Sequence, residues 1–392
     1  MASELSWEVE LGAPLNAKTL KFQVCNIQLV FMNQKSTDNS MRRRPGWSIL
    51  IVVLFGSIAL PLLLFSFSNQ SFFGELDSQP TPALVPSTNI LQVHKWLDEI
   101  QLQTANLQVD KQDELTSCLK LWAEKDAIFK ANRNKRISMM RMNPKMWSNK
   151  RTFQAFTAEY PADMVIRIGS LDDGGKVLVN PFHLYTDRQC LAYSVGSNAD
   201  FSFEEALLRI SNRACEIHTF DPTLDPHAKN FMKMVSSRFG FEFHDAGFAG
   251  APDLEGKYDT LQGFLTKLGH TNRTLDILKV DCEGCEYQFF PQVVEAVKEG
   301  RLEIGILNVE LHSALQDFKA GPVVHQFFEW MDSIDMRLYS KDPNVVGCDG
   351  YKCSEFSWIS AKEAFHSFVL YRCPNFSSDW EVLWTQIRNQ PT

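Results

Sequence analysis

The run Lys279-Val280-Asp281-Cys282-Glu283-Gly284-Cys285-Glu286 sets acidic side chains where a strand-like segment, Leu275 to Val280, gives way to a glycine that permits a sharp turn. Carboxylates such as Asp281 and Glu283 at that place can orient a substrate hydroxyl, take its proton or hold a divalent ion. Glu310 and His312 end a second such segment and can join them. Upstream, Gly196-Ser197-Asn198-Ala199-Asp200 is a turn of small residues that lets a ligand approach the backbone. Ser202 with Glu205 matches a capping box, which would start a helix directly after that turn. Asp221 lies 25 residues beyond Gly196, near the spacing at which a carboxylate accepts hydrogen bonds from a ribose hydroxyl pair. The G-x-G-x-x-G fingerprint is absent, so a nucleoside without a pyrophosphate fits better than a dinucleotide. His244-Asp245-Ala246-Gly247 offers Asp245 to an adenine amino group. Cys282 and Cys285 have CxxC spacing, but no second pair completes a tetrahedral zinc set, and the two are expected to pack or to enter separate disulfides. No metal is assigned.

These residues share one structural context. Leu191 to Val195, Glu216 to Phe220, Phe241 to His244, Leu275 to Val280 and Leu302 to Leu311 read as strands. Phe203 to Ile210, Thr260 to Leu268 and Gln292 to Lys298 read as helices between them. Strands alternating with helices require crossover connections, which predicts an α/β, Rossmann-like, doubly wound and mostly parallel sheet. Ligands of such sheets bind beyond the carboxyl ends of the strands, where each candidate above stands.

The segments CLAYSVGSNADFSFEEAL (190–207), CEIHTFDPT (215–223) and LGHTNRTLDILKVDCEGCEYQFF (268–290) resemble the methyltransferase-like protein 24 family, related to FkbM-type enzymes. The D-x-E-G strand exit of that group is matched by Asp281, Glu283 and Gly284. The resemblance covers about residues 160–372 and implies a class I methyltransferase fold using S-adenosyl-L-methionine. It implies that Gly196, Ser197 and Asn198 turn beneath the methionine part, that Asp221 accepts from the ribose and that Asp245 faces the adenine. Asp281, Glu283, Glu310 and His312 would line the methyl-transfer site, with Asp281 as base toward a hydroxyl. One departure is visible: Ser194 holds the usual acidic position of the turn, and Asn198 the second glycine.

The chain has 392 residues and a net charge of −8. Residues 1–68 carry a small positive balance, so the remainder is strongly acidic and repels a phosphate backbone at long range. Nucleic acid is therefore not expected as a partner. Residues 47–67 contain no charged side chain, enough to cross a hydrocarbon core of about 30 Å as one helix. Arg42, Arg43 and Arg44 precede that span and predict a type II orientation in the secretory pathway, with the N-terminus cytosolic. The expected organisation is a tail (1–46), a signal anchor (47–67), a Pro/Ser/Thr-rich stem (68–89), a helical lead-in (90–159) and a methyltransferase-like domain (160–392). Eight of the nine cysteines and sequons at Asn69, Asn272 and Asn375 fall on the lumenal side, where Cys348 with Cys353 is the favoured bridge. A basic, methionine-rich stretch from Arg133 to Arg151 reads as a solvated face. The expected activity is O-methylation of a glycan, lipid or small hydroxylated acceptor; the alternative is a non-catalytic, membrane-anchored binding protein on the same fold.

Overall fold

A computed structural model describes residues 109–142, 153–171, 174–181, 189–313, 321–344, 348 and 352–388, together with five short strands between residues 17 and 66. The chain divides into two units, Met1–Val85 and Pro86–Thr392. In the first, β1 (Ala17–Phe22), β2 (Ile27–Met32), β3 (Ser48–Phe55), β4 (Ile58–Ala59) and β5 (Leu63–Ser66) form an antiparallel sheet. Within residues 47–67, expected as one helix, the described residues Ser48–Phe55, Ile58–Ala59 and Leu63–Ser66 thus carry strand backbone. The aliphatic and β-branched run suits a sheet once β2 and β5 meet its hydrogen bonds. Among the described residues no helix is long and apolar enough to cross a membrane. The stem and the expected helical residues 90–108 lie outside the described residues.

The second unit is built on seven strands. They are β8 (Cys190–Val195), β9 (Cys215–Phe220), β10 (Glu242–His244), β13 (Leu275–Val280), β14 (Ile304–His312), β15 (Met336–Asp342) and β16 (Cys353–Ser360). Their order is β10-β9-β8-β13-β14-β16-β15. The pairs from β10 to β14 are parallel, and β16 runs antiparallel between β14 and β15. Two small pairs, β6 (Val165–Ile168) with β7 (Lys176–Val179) and β11 (Gly247–Phe248) with β12 (Tyr258–Asp259), stand beside it.

The period-two alternation of the strands divides the core. Cys190, Ala192, Ile217, Ile277 and Ile306 face one layer, packed with Phe203 and Leu207 of α2 (Ser202–Ile210), Trp122 of α1 (Val109–Met142) and Phe365 of α7 (Ala361–Arg372). Leu191, Tyr193, Val195, Leu278 and Val280 face the other. There they meet Phe289 and Phe290 of α5 (Glu286–Lys298) and Phe327 and Phe328 of α6 (Gly321–Ser333). The remaining helices are α3 (Pro226–Phe239), α4 (Leu261–Lys267) and α8 (Trp380–Arg388).

Several elements differ from expectation for identifiable reasons. Helix α5 begins at Glu286 rather than Gln292 and runs through Pro291. The buried row Phe289, Phe290, Val293 and Val294 offsets the hydrogen bond that the proline removes. Ser202 does not cap α2. Asp200 Oδ1 accepts from Ser202 N at 2.8 Å, and Ser202 Oγ accepts from Ser170 N at 3.0 Å. In α1 the expected Leu115, Leu119 and Trp122 are buried, whereas Leu121 is exposed. The basic stretch is not wholly a solvated face: Arg136 is buried in ion pairs with Glu159 and Asp332, at 2.5 and 2.6 Å.

Among the described residues, four disulfides join Cys118–Cys373, Cys190–Cys215, Cys282–Cys285 and Cys348–Cys353. The last is the expected bridge. Cys282 and Cys285 bond to each other rather than to separate partners, because the left-handed Glu283 and Gly284 fold the loop back on itself.

Candidate active site

A cavity of about 1180 Å³ opens at the carboxyl ends of the central strands. Gly196, Ser197, Asn198, Asp221, Asp281, Glu283, Glu310 and His312 all line it, although they come from four different strand exits. The β8 exit is tight. Gly196 has φ +78°, and a Cβ there would lie 1.6 Å from the carbonyl oxygen of Asp281, so only glycine fits. Asn198 and Ala199 follow with left-handed φ of 46° and 61°. Lys279 Nζ donates to Gly196 O at 2.7 Å and ties the loop to β13.

Asp221 is 2 % exposed, and its carboxylate holds this loop in shape. Oδ2 accepts from Ser197 N (2.9 Å), Ser197 Oγ (3.1 Å) and Asn198 N (2.8 Å). Oδ1 accepts from Thr223 N (3.0 Å) and Oγ1 (2.7 Å). Burial opposes its ionisation, but the Thr223, Ser197 and Asn198 donors outweigh burial and hold its pKa below the usual carboxylate value. Asp245, expected to face an adenine, stands apart from these residues. It does not line the cavity but pairs with Lys229 of α3 at 2.8 Å, leaving Gly247, Phe248 and Ala249 to form that wall.

Beside the Gly196 turn, at the β13 exit, lies a buried charge network. Lys176 of β7, 2 % exposed, pairs with Glu355 of β16 and sits 3.3 Å from Asp281 Oδ2. Burial disfavours the Lys176 charge, but Glu355 and Asp281 overcome this and hold it protonated above the ordinary lysine range. Asp281 is itself resisted by burial yet drawn down to about 2 by Lys176 and Lys279. Glu310 hydrogen-bonds Asp281 and is pushed up to about 9 by burial and by the charges of Asp281 and Glu355, so it is a neutral acid at pH 7. His312 is raised to about 9: burial opposes the imidazolium, but the hydrogen bond to Glu286 and the charges of Glu286 and Glu283 prevail. His312 Nδ1 lies 3.2 Å from Glu286 Oε1, and its Nε2 lies 3.3 Å from Glu283 Oε2 at the cavity wall.

Lys176, Glu286 and Glu355 were not among the sequence candidates. Glu286 had a readable signal, an acid at the first turn of a helix just after the D-x-E-G exit. Lys176 and Glu355 are 179 residues apart, and nothing local announces that they meet. Asp281, Glu310 and Glu355 offer ligand atoms within 4.8 Å of one another, but the Lys176 ammonium already supplies the positive charge among them.

The raised pKa values carry a sign for stability. The folded state holds a proton on Glu310 from about pH 4.5 to 9 and on His312 from about 6.5 to 9, where the unfolded chain has released it. Stability from these groups is therefore full at low pH and is lost as pH rises toward 9. The melting temperature should fall most steeply between pH 6.5 and 9, and Glu310→Gln should flatten that fall in a pH series of thermal scans; an unchanged slope would refute the assignment.

A seven-stranded sheet of this order, with a cavity at the carboxyl ends bounded by the Gly196 turn and the Asp281 exit, defines an α/β class I methyltransferase fold. The chain belongs to a methyltransferase domain family, whose model matches residues 112–360. Its cofactor is S-adenosylmethionine. Similar solved structures include the fibrillarin pre-rRNA processing protein of Methanococcus jannaschii, at 8% identity over 44% of this chain and 67% of that chain with a TM-score of 0.30. Precorrin-6y C5,15-methyltransferase of Geobacter metallireducens GS-15 is 11% identical over 46% of this chain and 86% of that one, TM-score 0.29. TrmK of M. capricolum in complex with S-adenosyl-homocysteine is 11% identical over 54% and 87%, TM-score 0.25. No curated protein matches the sequence.

The residues fit this cofactor. Phe220, Phe248 and Ala249 supply apolar walls beside Asp221 and Thr223, as an adenosine needs, and the acidic end at Asp281 and Glu283 suits a sulfonium charge. When bound, S-adenosylmethionine supplies an electrophilic methyl group.

Proposed function

We propose that this protein is an S-adenosylmethionine-dependent O-methyltransferase acting on a hydroxyl of a glycan, a lipid or a small hydroxylated molecule. The observation that carries this reading is one cavity joining the Gly196 and Asp221 turn to the ionised Asp281 beside the neutral Glu310. Asp281 accepts the hydrogen bond of an acceptor hydroxyl and aims its oxygen. Its carboxylate is a weak base, which suffices because a hydroxyl becomes strongly acidic once its oxygen is alkylated. The protonated His312 and Glu310 keep further negative charge away from the acceptor oxygen. Proximity and alignment supply most of the rate.

The narrower kinship with the methyltransferase-like protein 24 family, a type II membrane position and lumenal catalysis belong to the same proposal. The uncharged run 47–67, preceded by Arg42, Arg43 and Arg44, is the feature of the sequence that supports the membrane position. Four disulfides and exposed sequons at Asn272 and Asn375 support an oxidising compartment.

A second reading has its own observation. Both oxygens of Asp221 are already occupied by five protein donors, so a ribose must compete with the loop for them. A binding protein that retains the fold without turnover accommodates that arrangement. Calorimetric titration of the full chain with S-adenosylmethionine and S-adenosylhomocysteine tests the first reading. Micromolar binding that weakens about tenfold or more in Asp221→Ala is expected, from the loss of a charged acceptor. Absence of binding by the folded chain would overturn it.

A further inference from the structure

The edge strand β10 and its neighbour β9 carry a second cluster. His218 on β9 stands directly across from Glu242 on the edge strand β10, and His244 lies two residues on, so strand pleating sets all three on one face. His218 Nδ1 is 2.9 Å from His244 Nε2, and Glu242 Oε2 is 3.6 Å and 3.8 Å from these two nitrogens. A tetrahedral ion with arms of 2.0–2.1 Å spaces its ligand atoms about 3.4 Å apart, the scale of this triangle. We propose that His218, Glu242 and His244 bind a divalent cation of the Zn²⁺ type, with water in the fourth position.

The surrounding hydrogen bonds prepare the ligands. Tyr193 OH donates to His270 Nδ1 (2.8 Å), which leaves the proton of His270 on Nε2, facing Glu216 Oε1 at 3.1 Å. Glu216 Oε1 also accepts from His218 Nε2 at 3.1 Å. The proton of His218 is thereby held on Nε2, and Nδ1 turns a lone pair toward His244 and Glu242. Metal entry displaces only the proton shared by the two imidazoles, which moves to His244 Nδ1. His218 is buried and Glu242 is exposed, so the site has a rigid base and an open entrance. His244 O accepts from Asp221 N at 3.1 Å, so a bound ion would brace the strand that adjoins the cofactor loop.

The test titrates the full-length chain, disulfides intact, with Zn²⁺ alone, reading stoichiometry by equilibrium dialysis and the melting temperature. One equivalent per chain and a raised melting temperature are expected. Glu242→Gln and His244→Gln should each weaken binding at least tenfold, and the double variant should abolish it. His227→Gln, an exposed histidine outside the cluster, should bind like the parent. No saturable equivalent, or the same equivalent in the double variant, would overturn the site.

Discussion

Replacing Asp281 by Asn should lower methyl transfer by about 10²–10⁴-fold, the usual contribution of a positioned proton acceptor. Asparagine keeps the size and one oxygen but cannot take the proton, and its amide presents a donor where the acceptor hydroxyl needs an acceptor. The fold should survive, because Lys176 keeps Glu355 as a buried partner. The same variant removes the main charge that raises Glu310, so Glu310 should titrate lower. Turnover of labelled S-adenosylmethionine with a hydroxylated acceptor, and the affinity for S-adenosylhomocysteine, separate chemistry from cofactor binding. Turnover within threefold of the parent would remove Asp281 from the proton path. An equal loss of turnover and of cofactor affinity would reassign it to positioning.

Lys176→Met should destabilise the second unit by about 3–5 kcal/mol, the cost of leaving buried charge without its partner. Lys176 is the ammonium that Glu355 and Asp281 share, and methionine fills its space without its charge. Lys176→Met with Glu355→Gln should recover part of that loss, since one uncompensated carboxylate is then gone. Denaturant unfolding of the single and double variants reads both numbers. A loss below about 1 kcal/mol in the single variant would mean that the carboxylates simply take up protons and that the ion network adds little.

The sequence alone determined the parallel strands, because strands such as Leu191 to Val195 and Leu275 to Val280 alternate with helices and so require crossover connections. It also placed the chemistry at strand exits, where the turn residues Gly196 and Gly284 are local signals. Eight of the nine candidate residues, all but Asp245, meet at one cavity for that reason. What only the tertiary structure decided are partnerships between residues distant in the chain. Asp245 has a suitable type and position, but Lys229 on the neighbouring helix claims it. Asp221 reads as a ribose acceptor, yet the folded loop supplies it with five donors. The antiparallel strand β16 brings Glu355 to Lys176, and that contact sets the charge of Asp281 and the protonation of Glu310. Spacing along a chain conveys local geometry; a pKa depends on every charge and every buried surface within a few ångströms, and those are assembled only when the strands pair.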